Sequence, residues 1–233
     1  ISYAASFGID IWNENIENTN TIIKLLQDFH AISVREKSGV KICNEIFNVN
    51  AIHVLDPTSL LNGEIYISRL LNSHPNKTNN MLVSYILGNE DTIKYCNQFA
   101  KSIGLNYTDL YYIYSPSKIF APSDFGKKHY MHISVYEWLK QIRNAKYVIT
   151  NSFHATVFAI LFKKQFVVLN HPTGGTARLT SLLDQLELRD RLIYNNVEIS
   201  LKLLQKEIDF DFVHSKLNIE KQISIQFLKS SLF

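Results

Sequence analysis

The chain has 233 residues, of which 46% are hydrophobic and 12% aromatic, and this is enough to bury a substantial core in one large or two small domains. Its 24 basic and 21 acidic residues are spread along the chain without the concentrated basic block that is typical of nucleic-acid binding. No apolar run approaches the roughly 18 to 20 residues that span a bilayer, and Cys43 and Cys96 form neither a CxxC pair nor a metal-ligand cluster.

The first part of the chain alternates between strand-like and helix-like patterns. Residues 1–10 predict a strand that runs into a glycine-containing turn, and residues 18–30 carry apolar side chains at a helical period. The segments AISVRE (31–36) and AIHVLDP (51–57) predict two more strands, which are separated by a short amphipathic stretch. This β-α-β-α-β order is typical of a parallel sheet.

A polar, asparagine-rich segment at 72–80 predicts a linker between two halves. We therefore expect a first domain over residues 1–75 and a second over residues 76–200. The remaining residues, 201–233, read as two C-terminal helices to which the sequence assigns no role.

The second half repeats the alternation. We expect a strand at MLVSYIL (81–87), a helix over 90–104, a strand at LYYIYS (110–115) and a long loop over 115–133. A capping box then opens a helix at 134–145, with four apolar residues on one helical face: Val135, Trp138, Leu139 and Ile142.

Two apolar strands and two helices complete this half. The strands are predicted at KYVIT (146–150) and QFVVLN (165–170), with a helix that is buried nearly all round, 152–164, between them. The next helix, 178–188, is expected to turn four leucines inward: Leu179, Leu182, Leu183 and Leu186. Strands this apolar, alternating with helices, favour an α/β fold with parallel sheets that are covered on both faces.

Polar side chains lie where the predicted strands end. In open parallel sheets, the ligand crevice lies beyond the carboxyl ends of the strands, where loops lead into helix N-termini. The residues at these places are Ser6 and Gly8 after the first strand, Arg35 and Glu36 after the second, Asp56 after the third, and Asn151, Ser152 and His154 in the second half. We expect these strand ends to form a ligand site.

The segment TNSFH (150–154) leads directly into an almost wholly apolar helix. Asn151 or Ser152 is the natural N-cap of this helix, whose free N–H groups and positive dipole end attract anions. His154 falls in the first turn, so its imidazole can reach the crevice while its apolar neighbours point into the core. Arg178 also lies at the start of a helix, after a Gly-Gly loop. Such a set of groups suits a small anion with a carboxylate or a phosphate.

Each of these residues also has a purely structural interpretation, and the sequence leaves it open. His154 could be a capping or core residue, and Arg178 could simply be solvated. Arg35 could pair with Glu36 on the surface, and Asp56 is in a position that is more typical of a turn residue.

Two further histidines raise the question of a metal. His129 and His132 are spaced i,i+3 and resemble half of a metal site. No carboxylate or cysteine has a matching spacing, so the sequence does not favour a metal site.

Five segments resemble the polysaccharide pyruvyl transferase family, in the same order and at similar spacing. They are SYAASFG (2–8), FHAISVREKSG (29–39), VLDPTSLL (54–61), WLKQIRNAKYVITNSFHATVFAILFKKQFV (138–167) and ARLTSLLDQLEL (177–188). The resemblance implies two Rossmann-like parallel-sheet halves in a glycosyltransferase-B-like arrangement, with an N-terminal half that is incomplete in this sequence.

The same resemblance implies an activity. A pyruvyl group would pass from phosphoenolpyruvate to a sugar of a cell-surface or exported polysaccharide and form a ketal. The implied partners are phosphoenolpyruvate and a glycan or lipid-linked sugar, without a metal or organic cofactor. The implied location is cytoplasmic, with association with the inner face of the membrane left open.

The family's functional residues can be carried onto this chain. In the implied scheme His154 shuttles the proton, Arg35 and Arg178 hold the carboxylate and phosphate, and the helix start at Ser152 adds backbone donors. Some members have an Arg-Leu-His triplet at 152–154, so a basic group is missing here and we expect a different substrate contact. We assign His154 and Arg35 as catalytic, and the following as substrate-binding: Arg178, Ser152, Asn151, Ser6 and Glu36.

Two other functions stay open at this point. One is a nucleotide-sugar-dependent glycosyltransferase of the same architecture, in which Arg178 and the helix start would bind diphosphate. The other is a non-catalytic sugar-binding remnant. The acceptor sugar, the ketal position and the oligomeric state are not determined by the sequence.

Overall fold

The computed structural model describes residues 1–71, 79–111, 113–114, 130–131, 133–170 and 175–232. The predicted linker at 72–80 and the predicted loop at 115–133 therefore lie largely outside the described residues. His129 and His132 both lie outside them.

Strands and helices alternate along the chain, which confirms the predicted α/β class. The strands are β1 Ser2–Ala5, β2 Ile32–Val34, β3 Ile52–His53, β4 Met81–Tyr85, β5 Asn106–Asp109, β6 Ile113–Tyr114, β7 Tyr130–Met131, β8 Tyr147–Thr150, β9 Gln165–Leu169 and β10 Leu192–Ile193. The α-helices are α1 Ile16–Leu26, α2 Lys37–Lys41, α3 Gly63–Leu70, α4 Glu90–Ser102, α5 Val135–Asn144, α6 Phe153–Leu161, α7 Thr176–Gln185, α8 Leu201–Gln205 and α9 Phe210–Leu232. Over the described part of the chain, no helix is both long enough and apolar enough to cross a membrane.

The chain divides into two compact units by its internal contacts. Unit 1 contains Ile1–Asn62, Asn170–Tyr194 and Ile208–Phe233, and unit 2 contains Gly63–Leu169 and Asn195–Glu207. This grouping is discontinuous, unlike the contiguous division predicted from the sequence. The reason is that α7 and α9 bond to the strand ends of unit 1, through Ser181 to Lys37 and through Ser224 to Leu55.

Unit 1 contains a three-stranded parallel sheet in the order β1–β2–β3. Its apolar core includes Ile32, Val34 and Phe47, against which Phe7 and Trp12 pack. The helix α9 is fixed to the end of β3, since the backbone N–H of Leu55 donates to Ser224 Oγ at 2.9 Å. The apolar core and α9 therefore support the sheet at whose edge β1 and β2 end.

An irregularity in β1 lies just before the candidate site. The register between β1 and β2 shifts between Ser2 and Ala5, and Ala4 has a φ of 52°, in the left-handed region that an alanine adopts at a cost of about 1 kcal/mol. The buried Ser33 hydroxyl accepts from the Ala4 N–H at 3.0 Å and donates to the Ser2 carbonyl at 3.0 Å. Ser33 therefore stabilises the shifted backbone that leads into residues 6–8.

In unit 2, the parallel strands follow the order β9–β8–β4–β5. The strand β8 is buried at all four residues, and Tyr85 at the end of β4 lies opposite Thr150 at the end of β8. Every residue of α6 except His154 is buried. Burial of strand and helix on all sides is what the apolar run from 147 to 162 predicts, and it is confirmed.

Two predictions within unit 2 need correction. The predicted strand at 110–115 contains β6, Ile113–Tyr114, which pairs with β7, whereas the strand that extends the parallel sheet is β5, Asn106–Asp109. An edge strand need not be apolar, so β5 lacks the apolar signal. Val135, on the apolar face of α5, is 72% exposed because it occupies the first position of the helix. The cap of that helix is confirmed, because Ser134 Oγ accepts from the Glu137 N–H at 3.2 Å.

Replacing Ser33 by alanine should destabilise the protein by about 1–3 kcal/mol, because the buried N–H of Ala4 loses its acceptor. Urea unfolding followed by circular dichroism measures this difference. Ser215→Ala on the exposed side of α9 is the matched control and should change stability by less than about 0.5 kcal/mol. Equal stabilities of Ser33→Ala and Ser215→Ala would contradict the role of Ser33.

Candidate active site

Four of the predicted site residues lie together in unit 1, where β1 and β2 end. Ser6 follows β1, and Arg35 and Glu36 follow β2. The backbone N–H of Arg35 donates to the carbonyl of Ala5 at 3.1 Å, so the two strand ends are directly bonded. Arg178 is the fourth residue, and it lies in α7, which bonds to the same strand ends.

Glu36 is completely buried and connects the ends of β1 and β2. Its Oε1 atom accepts from the N–H of Phe7 at 2.6 Å, from the N–H of Gly8 at 3.0 Å and from Ser6 Oγ at 3.2 Å. Its Oε2 atom is also buried and has no hydrogen-bond partner within the described residues. The possibility that Glu36 is a surface residue is therefore wrong. Its carboxylate accepts hydrogen bonds from the backbone N–H groups that follow β1.

Arg35 is held by a buried carboxylate. Its Nη1 atom donates to Asp56 Oδ2, and the side chain of Arg35 remains partly exposed. Asp56 also accepts from the N–H of Thr58 at 3.0 Å and from Thr58 Oγ1 at 2.6 Å, which confirms its predicted role in a turn. The ion pair with Asp56 orients the side chain of Arg35. A guanidinium group presents five N–H donors, so it can bind a second acceptor while it is paired.

Arg178 lies in the first turn of α7, over a glycine that no other residue could replace easily. Gly175 has a φ of 86°, and a Cβ atom added to it would lie 3.1 Å from Arg178 Nη2. The N–H of Gly175 donates to the carbonyl of Gly8 at 3.0 Å. The N–H of Lys37 donates to Ser181 Oγ at 3.0 Å, so α7 is attached to the ends of both β1 and β2. Arg178 thus lies at the same edge of the unit 1 sheet as Arg35.

His53 also belongs to this cluster, although the sequence did not single it out as a site residue. It ends β3, is half-buried and lies with Nε2 3.5 Å from Ser181 Oγ. Its ring also hydrogen-bonds to the backbone of Arg35, and burial lowers the pKa of the imidazole. The signal in the sequence was a polar residue within the apolar run that leads to Asp56.

In unit 2, the polar segment after β8 connects two neighbouring strand ends. Asn151 Oδ1 accepts from the N–H of Leu87 at 2.7 Å, and its Nδ2 donates to the carbonyl of Leu87 at 3.0 Å. Thr150 Oγ1 donates to the carbonyl of Tyr85 at 2.6 Å and accepts from the N–H of Ser152 at 2.9 Å. Asn151 is therefore a structural clamp within unit 2, with both ends of its amide in use.

His154 is exposed at the start of α6. Ser152 occupies the N-cap position as predicted, but its hydroxyl makes no capping hydrogen bond among the described residues. Phe153 and Val157 are buried, whereas His154 is exposed and contacts Phe153 edge-on with 5.5 Å between ring centroids. The alternative that His154 is a core histidine is wrong.

The two cysteines take no part in the candidate site. Both are free and buried, and burial raises the pKa of the Cys43 thiol to about 11 and that of Cys96 to about 12. Thiols with such pKa values are inert as nucleophiles at neutral pH. In the part of the chain that is described, no group of three or more His, Cys, Asp or Glu side chains could hold a metal ion.

These features describe an α/β protein in which charged and polar side chains occupy the carboxyl ends of parallel strands, the usual place for a ligand site in such folds. The profile of the polysaccharide pyruvyl transferase family matches residues 1–172. The chain therefore belongs to this family.

Two solved structures are similar to the chain at low sequence identity. A glycotransferase of kitacinnamycin has a TM-score of 0.45 and 12% sequence identity, over 92% of this chain and 60% of that one. The wall teichoic acid polymerase TagF has a TM-score of 0.43 and 10% identity, over 96% of this chain and 62% of that one. The chain thus spans less than two thirds of the length of either structure. No curated protein matches the chain significantly.

Replacing Asn151 by alanine should destabilise the protein by about 1–3 kcal/mol, because the N–H and the carbonyl of Leu87 both lose their partner. Thermal and urea unfolding measure the loss. Asn195→Ala is a suitable control, since its side chain only caps an exposed turn. If the two variants were equally stable, Asn151 would not be the clamp described here.

Proposed function

We propose that the protein transfers a pyruvyl group from phosphoenolpyruvate to two hydroxyl groups of a polysaccharide sugar, giving a cyclic ketal and inorganic phosphate. The observation that carries this proposal is the family membership, supported by the joint location of Arg35 and Arg178 at one edge of the unit 1 sheet. The reaction is proposed to take place in the cytoplasm, on a glycan or a lipid-linked sugar. The proposed scheme uses neither a metal nor an organic cofactor.

Arg35 and Arg178 are proposed to bind the two charged groups of phosphoenolpyruvate. A carboxylate and a phosphate both suit the planar fork of a guanidinium group, which can bind either one through two hydrogen bonds. The backbone amides of Phe7 and Gly8 already serve Glu36, so the arginines are the stronger candidates for the anion. Arg35 also acts as an electrostatic catalyst in this proposal, because it would stabilise negative charge on the departing phosphate.

Glu36 is proposed to shape the acceptor site without contacting a substrate, which corrects its expected role in substrate binding. Its side chain is completely buried, so neither oxygen of the carboxylate is accessible to a sugar hydroxyl. Its Oε1 atom holds residues 6–8 in place instead. Ser6 then supports the sugar site through its hydrogen bond to Glu36.

His154 is proposed as the proton shuttle. The first sugar hydroxyl adds to C2 of phosphoenolpyruvate, its proton passes to the imidazole, and C3 gains a proton. The C2–O bond to phosphate then breaks, phosphate leaves with the electron pair, and the second hydroxyl bonds to C2 and releases its proton. An imidazole titrates near neutrality and can serve both proton transfers, at a typical gain of about 10²- to 10⁴-fold.

Asn151 and Ser152 are proposed to support His154. Both residues are buried, and the amide of Asn151 is bonded to Leu87 at both ends. The clamp fixes the backbone at the start of α6, where His154 is exposed. The positive end of the helix adds to the attraction for an anionic substrate.

Calorimetric titration with phosphoenolpyruvate tests the donor site. Arg178→Gln should weaken binding about 10- to 100-fold, since hydrogen bonds to a charged group contribute about 1.5–3 kcal/mol. Arg189→Gln is the matched control, because Arg189 is an exposed arginine of unit 1 that pairs with Asp184.

His154→Ala should keep most of the affinity for phosphoenolpyruvate but lose about 10²- to 10⁴-fold in pyruvyl transfer per folded molecule.

Two results would overturn this proposal. The first is a wild-type protein that binds a nucleotide sugar tightly and does not bind phosphoenolpyruvate. The second is equal affinity of wild type and Arg178→Gln for phosphoenolpyruvate.

A further inference from the structure

We propose that His53 is a positioning residue that holds Arg35 and the helix of Arg178 in a fixed relation to each other. The expected effect of His53 on substrate binding rests on the proposed function. The contacts of His53 with Arg35 and Ser181 do not depend on it. His53 does not touch the proposed substrate in this scheme and acts only through the two arginines.

The location of His53 follows from the sheet. In the parallel register His53 pairs with Val34, the last residue of β2, so its ring lies beside the backbone that continues into Arg35. The ring hydrogen-bonds to the backbone of Arg35 on one side, and its Nε2 atom lies 3.5 Å from Ser181 Oγ on the other. His53 therefore bridges the end of β2 and the helix α7.

The hydrogen-bond pattern around His53 suits a neutral imidazole. With Nε2 facing Ser181, Nδ1 is the nitrogen that can donate to the carbonyl of Arg35. Ser181 Oγ already accepts from the N–H of Lys37, so its hydroxyl hydrogen is available for Nε2. A neutral ring thus satisfies both neighbours, whereas with a protonated ring the hydroxyl hydrogen of Ser181 would lose Nε2 as its acceptor.

The bridge matters for Arg178 because Ser181 lies three residues further along α7. Residues three apart share one face of a helix, so a contact at Ser181 fixes the orientation of the turn that carries Arg178. Two further attachments of this helix are the bond from Gly175 to Gly8 and the bond from the N–H of Lys37 to Ser181 Oγ. Loss of the His53 contact would remove the side-chain contact to Ser181 and loosen the hold of α7 on the end of β2.

The charges around His53 act in both directions. Burial has the largest effect and lowers the pKa of His53, and the charge of Lys37 adds to the lowering. The Arg35 carbonyl and the carboxylates of Glu220 on α9 and Glu36 after β2 act to raise the pKa. Because the folded-state pKa is below the usual 6.5, the stabilisation that depends on the neutral ring is complete above that pH and is lost as the pH falls below it.

NMR titration of the histidine ring protons tests the bridge without any substrate. The signal of His53 is identified by its absence in His53→Gln, and its pKa should lie below the usual 6.5. In Ser181→Ala the pKa of His53 should rise, because the hydroxyl that favours the neutral ring is gone. An ordinary pKa that is the same in wild type and Ser181→Ala would overturn the inference.

Titration with phosphoenolpyruvate tests the consequence for the arginines. His53→Leu should weaken binding about tenfold at neutral pH, and His53→Gln should restore most of the affinity because an amide can both donate and accept. Between neutral and acid pH, wild type should lose more affinity than His53→Gln, since only the histidine gains a charge. His30→Gln should behave as wild type at every pH.

The outcomes separate this inference from the proposed function. If wild type failed to bind phosphoenolpyruvate while His53 titrated as described, the proposed function would fall and the bridge would stand. If wild type bound phosphoenolpyruvate and His53→Leu bound it equally well, with the same pH dependence, the positioning role of His53 would be wrong.

Discussion

The buried carboxylate of Glu36 is the interaction on which the candidate site of unit 1 depends. A carboxylate without water is costly unless it is well hydrogen-bonded, and Glu36 accepts three hydrogen bonds from residues 6–8. These bonds fix Gly8, whose carbonyl then accepts from Gly175 at the start of α7. Glu36 therefore supports the location of Arg178 through residue Gly8, together with the bond from Lys37 to Ser181.

Unit 2 uses its polar residues in a comparable way. The side chains of Thr150 and Asn151 bond to the backbone of the neighbouring strand end instead of pointing to solvent. This leaves His154 as the exposed residue of an otherwise buried helix. In both units, polar residues near strand ends therefore build the support, and the charged or titratable side chains beside them are the groups we propose for chemistry.

The sequence was sufficient where a pattern is local. Apolar runs predicted β8, α6 and β9, and the four inward leucines of α7 are all buried. It failed at β5, because an edge strand can be polar and lacks the apolar signal.

The roles of individual site residues were harder to predict, because their partners are distant in the chain. Glu36 bonds to Ser6 across 30 positions, and His53 meets Ser181 across 128. No local period encodes such pairs. Strand-end placement correctly brought Ser6, Arg35 and Glu36 together, but it could not show which side chains support the fold and which remain for a ligand.

The most direct test of the account is ³¹P NMR of phosphoenolpyruvate mixed with the protein and a glycan acceptor. If the protein transfers pyruvyl groups, the phosphoenolpyruvate signal decreases and inorganic phosphate appears only when the glycan is present, with ketal-linked pyruvate on the glycan. Consumption of a nucleotide sugar with phosphoenolpyruvate unchanged would contradict it.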